Sequence, residues 1–152
     1  MANILLTGAT GFVGRQILRQ LESQNHNTRL VVRPNWQNRI TINEQITHVI
    51  ETDDLFAQDA NWWSRNLGNI DIIIHSAWYA EPGLYLTSSK NDDCLKGTIE
   101  LAKAALDTNV KRFVGLGTCI EYELSENILS IQTPLSPTTP YSKAKVNMSI
   151  AD

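Results

Sequence analysis

The segment Tyr141-Ser142-Lys143-Ala144-Lys145 places a phenol and an amine four residues apart. Pro134, Pro137 and Pro140 break structure before it, and Pro140 suits the first position of a helix. On that helix Tyr141 and Lys145 share one face. A free tyrosine titrates near pH 10 and is a poor base at neutral pH. A neighbouring ammonium favours the phenolate, which would make Tyr141 a general acid/base with Lys145 lowering its pKa. Such spacing alone is common, and a solvated helix face explains it equally well. Its position in the chain gives it weight, because it follows an apolar run ending in Gly117-Thr118. Thr118 would sit at the carboxyl edge of a sheet, where ligands bind, and orient a substrate oxygen beside Tyr141. As a plain strand-end residue it would bond only backbone.

At the other end of the chain, Thr7-Gly8-Ala9-Thr10-Gly11-Phe12-Val13-Gly14 spaces its glycines Gly-x-x-Gly-x-x-Gly. The first would allow a tight turn, the second a close pyrophosphate, and the third a close helix–sheet contact. The helix start behind them offers free N–H groups to phosphate. The motif follows an apolar run and opens an amphipathic one, the context that marks dinucleotide binding.

Short apolar runs position both motifs: residues 3–7, 29–33, 48–51, 71–75 and 112–116. They are continuous rather than alternating, as in strands covered on both faces. Helical patterns lie between them. Phe12, Val13, Ile17, Leu18 and Leu21 mark one helix. Residues 54–66, with Trp62 and Trp63 partly buried, mark a second. Leu95, Ile99, Ala102 and Leu106 mark a third, ending near Asn109. Residues 34–45 are polar and aperiodic, a loop or short helix. The alternation predicts an α/β fold, a Rossmann-type doubly wound parallel sheet.

The second run ends in Arg33-Pro34 with no acid nearby. An acid there would accept from a ribose 2′-hydroxyl, whereas a base suits a 2′-phosphate. Arg33 therefore favours NADP(H) over NAD(H), with Arg15 as a second phosphate partner. Both would otherwise be surface residues. Asp53-Asp54-Leu55, after the third run, fits an adenine edge, an N-cap, or both.

These residues together resemble the extended short-chain dehydrogenase/reductases of the NAD-dependent epimerase/dehydratase family. The resemblance rests on Thr7 to Gly14, His75-Ser76-Ala77, Lys96-Gly97-Thr98, Phe113 to Thr118 with Tyr122, and Tyr141 to Lys145. It implies catalysis by Thr118, Tyr141 and Lys145. It implies cofactor contacts from Gly8, Thr10, Gly11, Phe12, Val13, Gly14, Arg33, Asp54, Leu55, Ala77, Tyr141 and Lys145. It implies hydride transfer on a nucleotide sugar; Ala77 to Gly83 is similar to members acting on deoxysugar nucleotides. Cys94 stands where many members carry an asparagine. Members also continue well past the tyrosine helix. That makes residues 1–152 an incomplete NAD(P)-binding domain lacking the carboxy-terminal substrate region, with a last helix fraying at Ile150-Ala151-Asp152. A homodimer, or a partner carrying the missing half, would complete it. An NADPH-dependent reductase of a small carbonyl compound, a non-catalytic NADP(H)-binding module and an inactive relic are the alternatives.

Composition narrows the classes further. In 152 residues, 13 Lys+Arg oppose 16 Asp+Glu, a net charge of −3. There is no basic excess for nucleic acid and no apolar run long enough for a bilayer. Cys94 and Cys119 lack metal-ligand spacing. A cytoplasmic setting follows as the simplest expectation from the absence of a leader-like start and from the low cysteine content.

Overall fold

A computed structural model describes residues 1–125 and 128–150. The expected fraying at Ala151 and Asp152 lies outside the described residues. Five parallel strands form one sheet in the order β3-β2-β1-β4-β5: β1 (Asn3–Thr7), β2 (Asn27–Val32), β3 (Ile46–Glu51), β4 (Ile72–His75) and β5 (Arg112–Gly115). Four helices connect or follow them: α1 (Phe12–Ser23), α2 (Ala60–Asn66), α3 (Lys90–Leu106) and α4 (Pro140–Ile150). The expected doubly wound sheet is therefore present.

The apolar runs are continuous because successive side chains serve different layers. Leu5, Val31, Ile50 and Ile73 pack with Trp63, Leu67, Leu101 and Ala104 on the α2–α3 face. Ile4, Leu6, Leu30 and Val32 pack with Leu18 and Leu21 of α1 on the other. Alternate residues thus enter two cores, as a strand buried on both sides requires.

Strand ends shift by one or two residues from the sequence expectation, and three differences bear on the site. β2 ends at Val32, so Arg33 lies just beyond the strand. The single helix expected over residues 54–66 is split into a 3₁₀ turn, Leu55–Ala57, and α2. Two aspartates cause this. Asp54 accepts from the Phe56 N–H at 2.9 Å, and Asp59 accepts from the Trp62 N–H at 2.7 Å, so the segment starts twice. Finally, α3 ends at Leu106 and buries another stripe than expected: Cys94, Gly97, Thr98, Leu101, Ala104 and Ala105. Leu106, counted on the apolar face from its type, is 84% exposed. Small residues win because α3 lies very close to its neighbours. A Cβ on Gly97 would fall 2.4 Å from Phe56 Cα.

β1 has β2 on one side and β4 on the other, with Thr7 paired to Val31 and to His75. The connections leave these strands toward opposite faces. This opens a crevice at their carboxyl ends, the usual ligand position in such sheets.

Candidate functional site

The glycine segment turns at this crevice. Gly8 has φ +73°, and a Cβ there would lie 2.7 Å from both Ala77 N and Ser76 Oγ. The Gly11 N–H donates to Gly8 O at 2.9 Å and closes the turn. Gly14 is packed against the turn itself, since a Cβ would lie 2.0 Å from Gly8 O. Gly11 is the N-cap of α1 and no side chain caps it. Phe12 and Val13 in the first helical turn are 78% and 48% exposed. A bare helix start behind a glycine cradle fits an anionic group such as a pyrophosphate.

A buried hydrogen-bond chain fixes the turn from below. The Ala77 N–H donates to Thr7 Oγ1 at 3.3 Å, and Thr7 Oγ1 lies 2.9 Å from His75 Nδ1. His75 Nε2 lies 3.0 Å from Thr98 Oγ1, which donates to Cys94 O at 2.7 Å. Thr98 has therefore used its proton and accepts from His75. The ring carries hydrogen on Nε2, and Thr7 donates to Nδ1. Burial, aided by the Lys145 charge, drives the His75 pKa down to about 3. An unfolded histidine protonates near pH 6.5. Between these values the unfolded chain binds the extra proton, so stability falls as pH drops from about 6.5 toward 3. Denaturant melts across that range should show this slope, and His75→Leu should flatten it. An unchanged slope in the variant would place the acid sensitivity elsewhere.

Beside the glycine turn lies a cleft of about 480 Å³ lined by Thr10, Arg33, Pro34, Asn35, Trp36, Arg39 and Asp53. Arg33 and Arg39 are both exposed there. Asp54 and Leu55 occupy the next turn, where Asp54 is an N-cap as expected.

The third part follows β5. Thr118 opens a 3₁₀ turn, Cys119–Glu121, and its N–H donates to Glu121 Oε1 at 2.6 Å. The Thr118 side chain lies close enough to Tyr141 to act on its pKa. Its ring meets Tyr85 edge-on at 5.0 Å and Trp78 at 6.3 Å. Lys145 is 4% exposed, and its ammonium donates to Leu116 O at 2.7 Å. Thr118, Tyr141 and Lys145 thus come together from segments far apart in sequence.

The charge state differs from the expectation. Burial raises the Tyr141 pKa above that of a free phenol, against the lowering effect of the nearby Thr118 side chain. Burial also lowers Lys145 to about 8, opposed by Glu121. The lysine does not make Tyr141 more acidic here because its ammonium is directed to Leu116 and lies 5.8 Å from the phenol ring centroid.

Cys94 is buried, accepts from the Tyr79 N–H at 3.4 Å, and is pushed up to about 11 by burial. It is a packed thiol that keeps its proton at neutral pH. Sequence reasoning missed Glu121, Arg39 and Asn91. Glu121 follows Thr118 closely enough to have been noticed. Arg39 lies in an aperiodic stretch, and nothing in the sequence distinguished Asn91. Among the described residues there is no cluster of three His, Cys, Asp or Glu able to hold a metal ion. Among them, no helix is long and apolar enough to cross a membrane.

Comparison with known proteins adds three findings. Residues 4–151 match the profile of a family described as NAD dependent epimerase/dehydratase. Among solved structures, DesIV, a dTDP-glucose 4,6-dehydratase from Streptomyces venezuelae solved with NAD bound, superposes with a TM-score of 0.78. It is 21% identical, and the match covers 98% of this chain and 50% of DesIV. MoeE5, solved with UDP-glucose and NAD, gives a TM-score of 0.72 at 22% identity over 98% of this chain and 47% of its own. The chain thus spans about half the length of these structures. Among curated proteins, the nonribosomal peptide synthetase atnA of Emericella nidulans is 45% identical over 62 residues, 41% of this chain and 1% of that protein.

Proposed function

Since the chain belongs to the NAD dependent epimerase/dehydratase family, we propose that it holds a nicotinamide dinucleotide in the β1–β4 crevice and acts on a nucleotide sugar. The observation that carries this reading is the gathering of Thr118 and Tyr141 beside a buried Lys145, at the same sheet edge as the glycine turn. The bound nicotinamide supplies a site that takes up or gives back hydride. Thr118 orients the substrate oxygen. Tyr141 gives a proton to that oxygen on reduction, or accepts one on oxidation. Lys145, held on Leu116 O, would offer a remaining N–H to the nicotinamide ribose. The turn from Gly8 to Gly14, with Thr10, Phe12 and Val13, receives the pyrophosphate, and Asp54, Leu55 and Ala77 flank the bound dinucleotide. The dTDP-glucose on which DesIV acts and the UDP-glucose bound to MoeE5 support the nucleotide-sugar class.

Arg33 and Arg39 line the cleft past β2 and favour NADP(H) over NAD(H). A ligand that binds only the native state raises the unfolding midpoint, because it adds about 2.7 kcal/mol of stability at a hundredfold excess over Kd. For a chain of this size that is roughly 5–10 °C. NADPH is expected to give that rise and NADH less. Arg33→Ser should weaken NADPH binding by about tenfold or more, the worth of a charge-assisted hydrogen bond, and leave NADH unchanged. Equal rises with both cofactors, or indifference to Arg33→Ser, would remove the NADP(H) assignment. No rise with either would remove the dinucleotide site.

A further inference from the structure

The Lys145 ammonium has three N–H donors to satisfy and is nearly sealed from water. Its hydrogen-bond acceptor is Leu116 O at 2.7 Å. Glu121, the acid that acts on it, has an oxygen committed to the Thr118 N–H. A second face of the ammonium meets the Trp78 ring, with Nζ 3.7 Å from the ring centroid. That is well inside the range of a cation–π contact.

The indole is itself held. Trp78 Nε1 donates to Asn91 Oδ1 at 2.8 Å. Asn91 is fully buried, and its Nδ2 donates to Tyr85 O at 2.6 Å and Ser88 O at 2.8 Å. The amide thus has a carbonyl on the indole side and an amino group facing two carbonyls. Its orientation is determined, and so is the indole edge. Phe56 meets the same ring edge-on at 6.3 Å.

We infer that Trp78 is a positioning residue for Lys145: its indole, locked by Asn91, provides the buried ammonium with its second holding contact. The inference rests on the proposed role of Lys145 at the nicotinamide ribose. It implies that the amine is in place before cofactor arrives.

Fluorinated tryptophans test this without changing shape. Each fluorine withdraws electron density from the ring face and weakens its attraction for a cation, while the indole N–H to Asn91 remains. The chain is prepared with ¹³C-lysine and with tryptophan, fluoro-, difluoro- or trifluorotryptophan. The Lys145 Cε signal, identified by its loss in Lys145→Met, is followed against pH. Glu121, Cys94, Tyr141 and His75, the other ionisable groups acting on or near Lys145, are the same throughout. The Lys145 midpoint is expected to fall stepwise by about one pH unit, a tenfold change in its ionisation constant. In Trp78→Phe, which keeps a ring but takes no fluorotryptophan, the dependence should vanish. A flat series, or a dependence that persists in Trp78→Phe, would overturn the inference. The ribose role is tested separately: undiminished NADPH affinity in Lys145→Met would overturn that role and leave the Trp78 contact standing.

Discussion

Gly14→Ala is expected to abolish dinucleotide binding and to lower the unfolding midpoint more than any other single methyl addition in the glycine segment. The new Cβ would fall 2.0 Å from Gly8 O and 2.6 Å from Gly8 C. Both are backbone atoms, so no flexible side chain can yield. Either α1 moves away from the sheet or the Gly8 turn opens, and each destroys the cradle. Overpacking of a dense site costs about 1–3 kcal/mol or more, and the rigid neighbour puts this case at the upper end. The midpoint should fall by about 6–12 °C, with no rise on adding NADPH or NADH. Gly68→Ala is the control, since a Cβ there meets nothing within 4 Å. A Gly14→Ala chain that melts and binds like the parent would show that the helix does not need its close approach.

Tyr141→Phe should leave cofactor binding intact and lower hydride transfer by about 10²–10⁴, the usual worth of a positioned general acid/base. The ring contacts with Tyr85 and Trp78 survive the change, so the variant isolates the hydroxyl. The raised pKa sets a direction. At neutral pH Tyr141 holds its proton and is ready to donate it, as reduction of a carbonyl requires. Oxidation needs the phenolate, so the oxidative rate should climb with pH while the reductive rate falls as the phenol ionises. Single-turnover absorbance of the nicotinamide, in both directions and across pH, reads both effects. Unreduced turnover in Tyr141→Phe would remove the residue from the chemistry.

How much of this was legible in the sequence depended on the range of the interaction. The sheet was legible because a strand covered on both faces leaves a local signature: Ile4, Leu5 and Leu6 in succession serve two cores. The glycine turn was legible in part for the same reason, since Gly8, Gly11 and Gly14 meet within eight residues, although Gly8 also presses on Ser76 and Ala77. The α3 face was misread because apolar type was weighed without distance. Leu106 is large and exposed, whereas Gly97 is small and pressed against Phe56. The charge state of Tyr141 was misread in sign. Four-residue spacing places the amine on its helix face but does not reveal that Leu116 O and the Trp78 ring hold that amine. Asn91 left no signal at all, since its importance comes from three partners that only the folded chain assembles.

The strand order has a consequence for how the chain is made. Of the five strands in this sheet, the first to be synthesised is the central one, and its second neighbour is β4, with Thr7 meeting His75 68 residues later. At about 5–20 residues per second, a ribosome takes roughly 3–14 s to supply it. During that interval Ile4, Leu5 and Leu6 lie along an open backbone edge, the template on which unrelated strands add. No hairpin can shorten the wait, because every pairing in the sheet is parallel and closes through a crossover. The nascent chain is therefore most vulnerable to misassociation between the emergence of β1 and that of β4, and the apolar Ile72-Ile73-Ile74 run ends the interval by closing the edge.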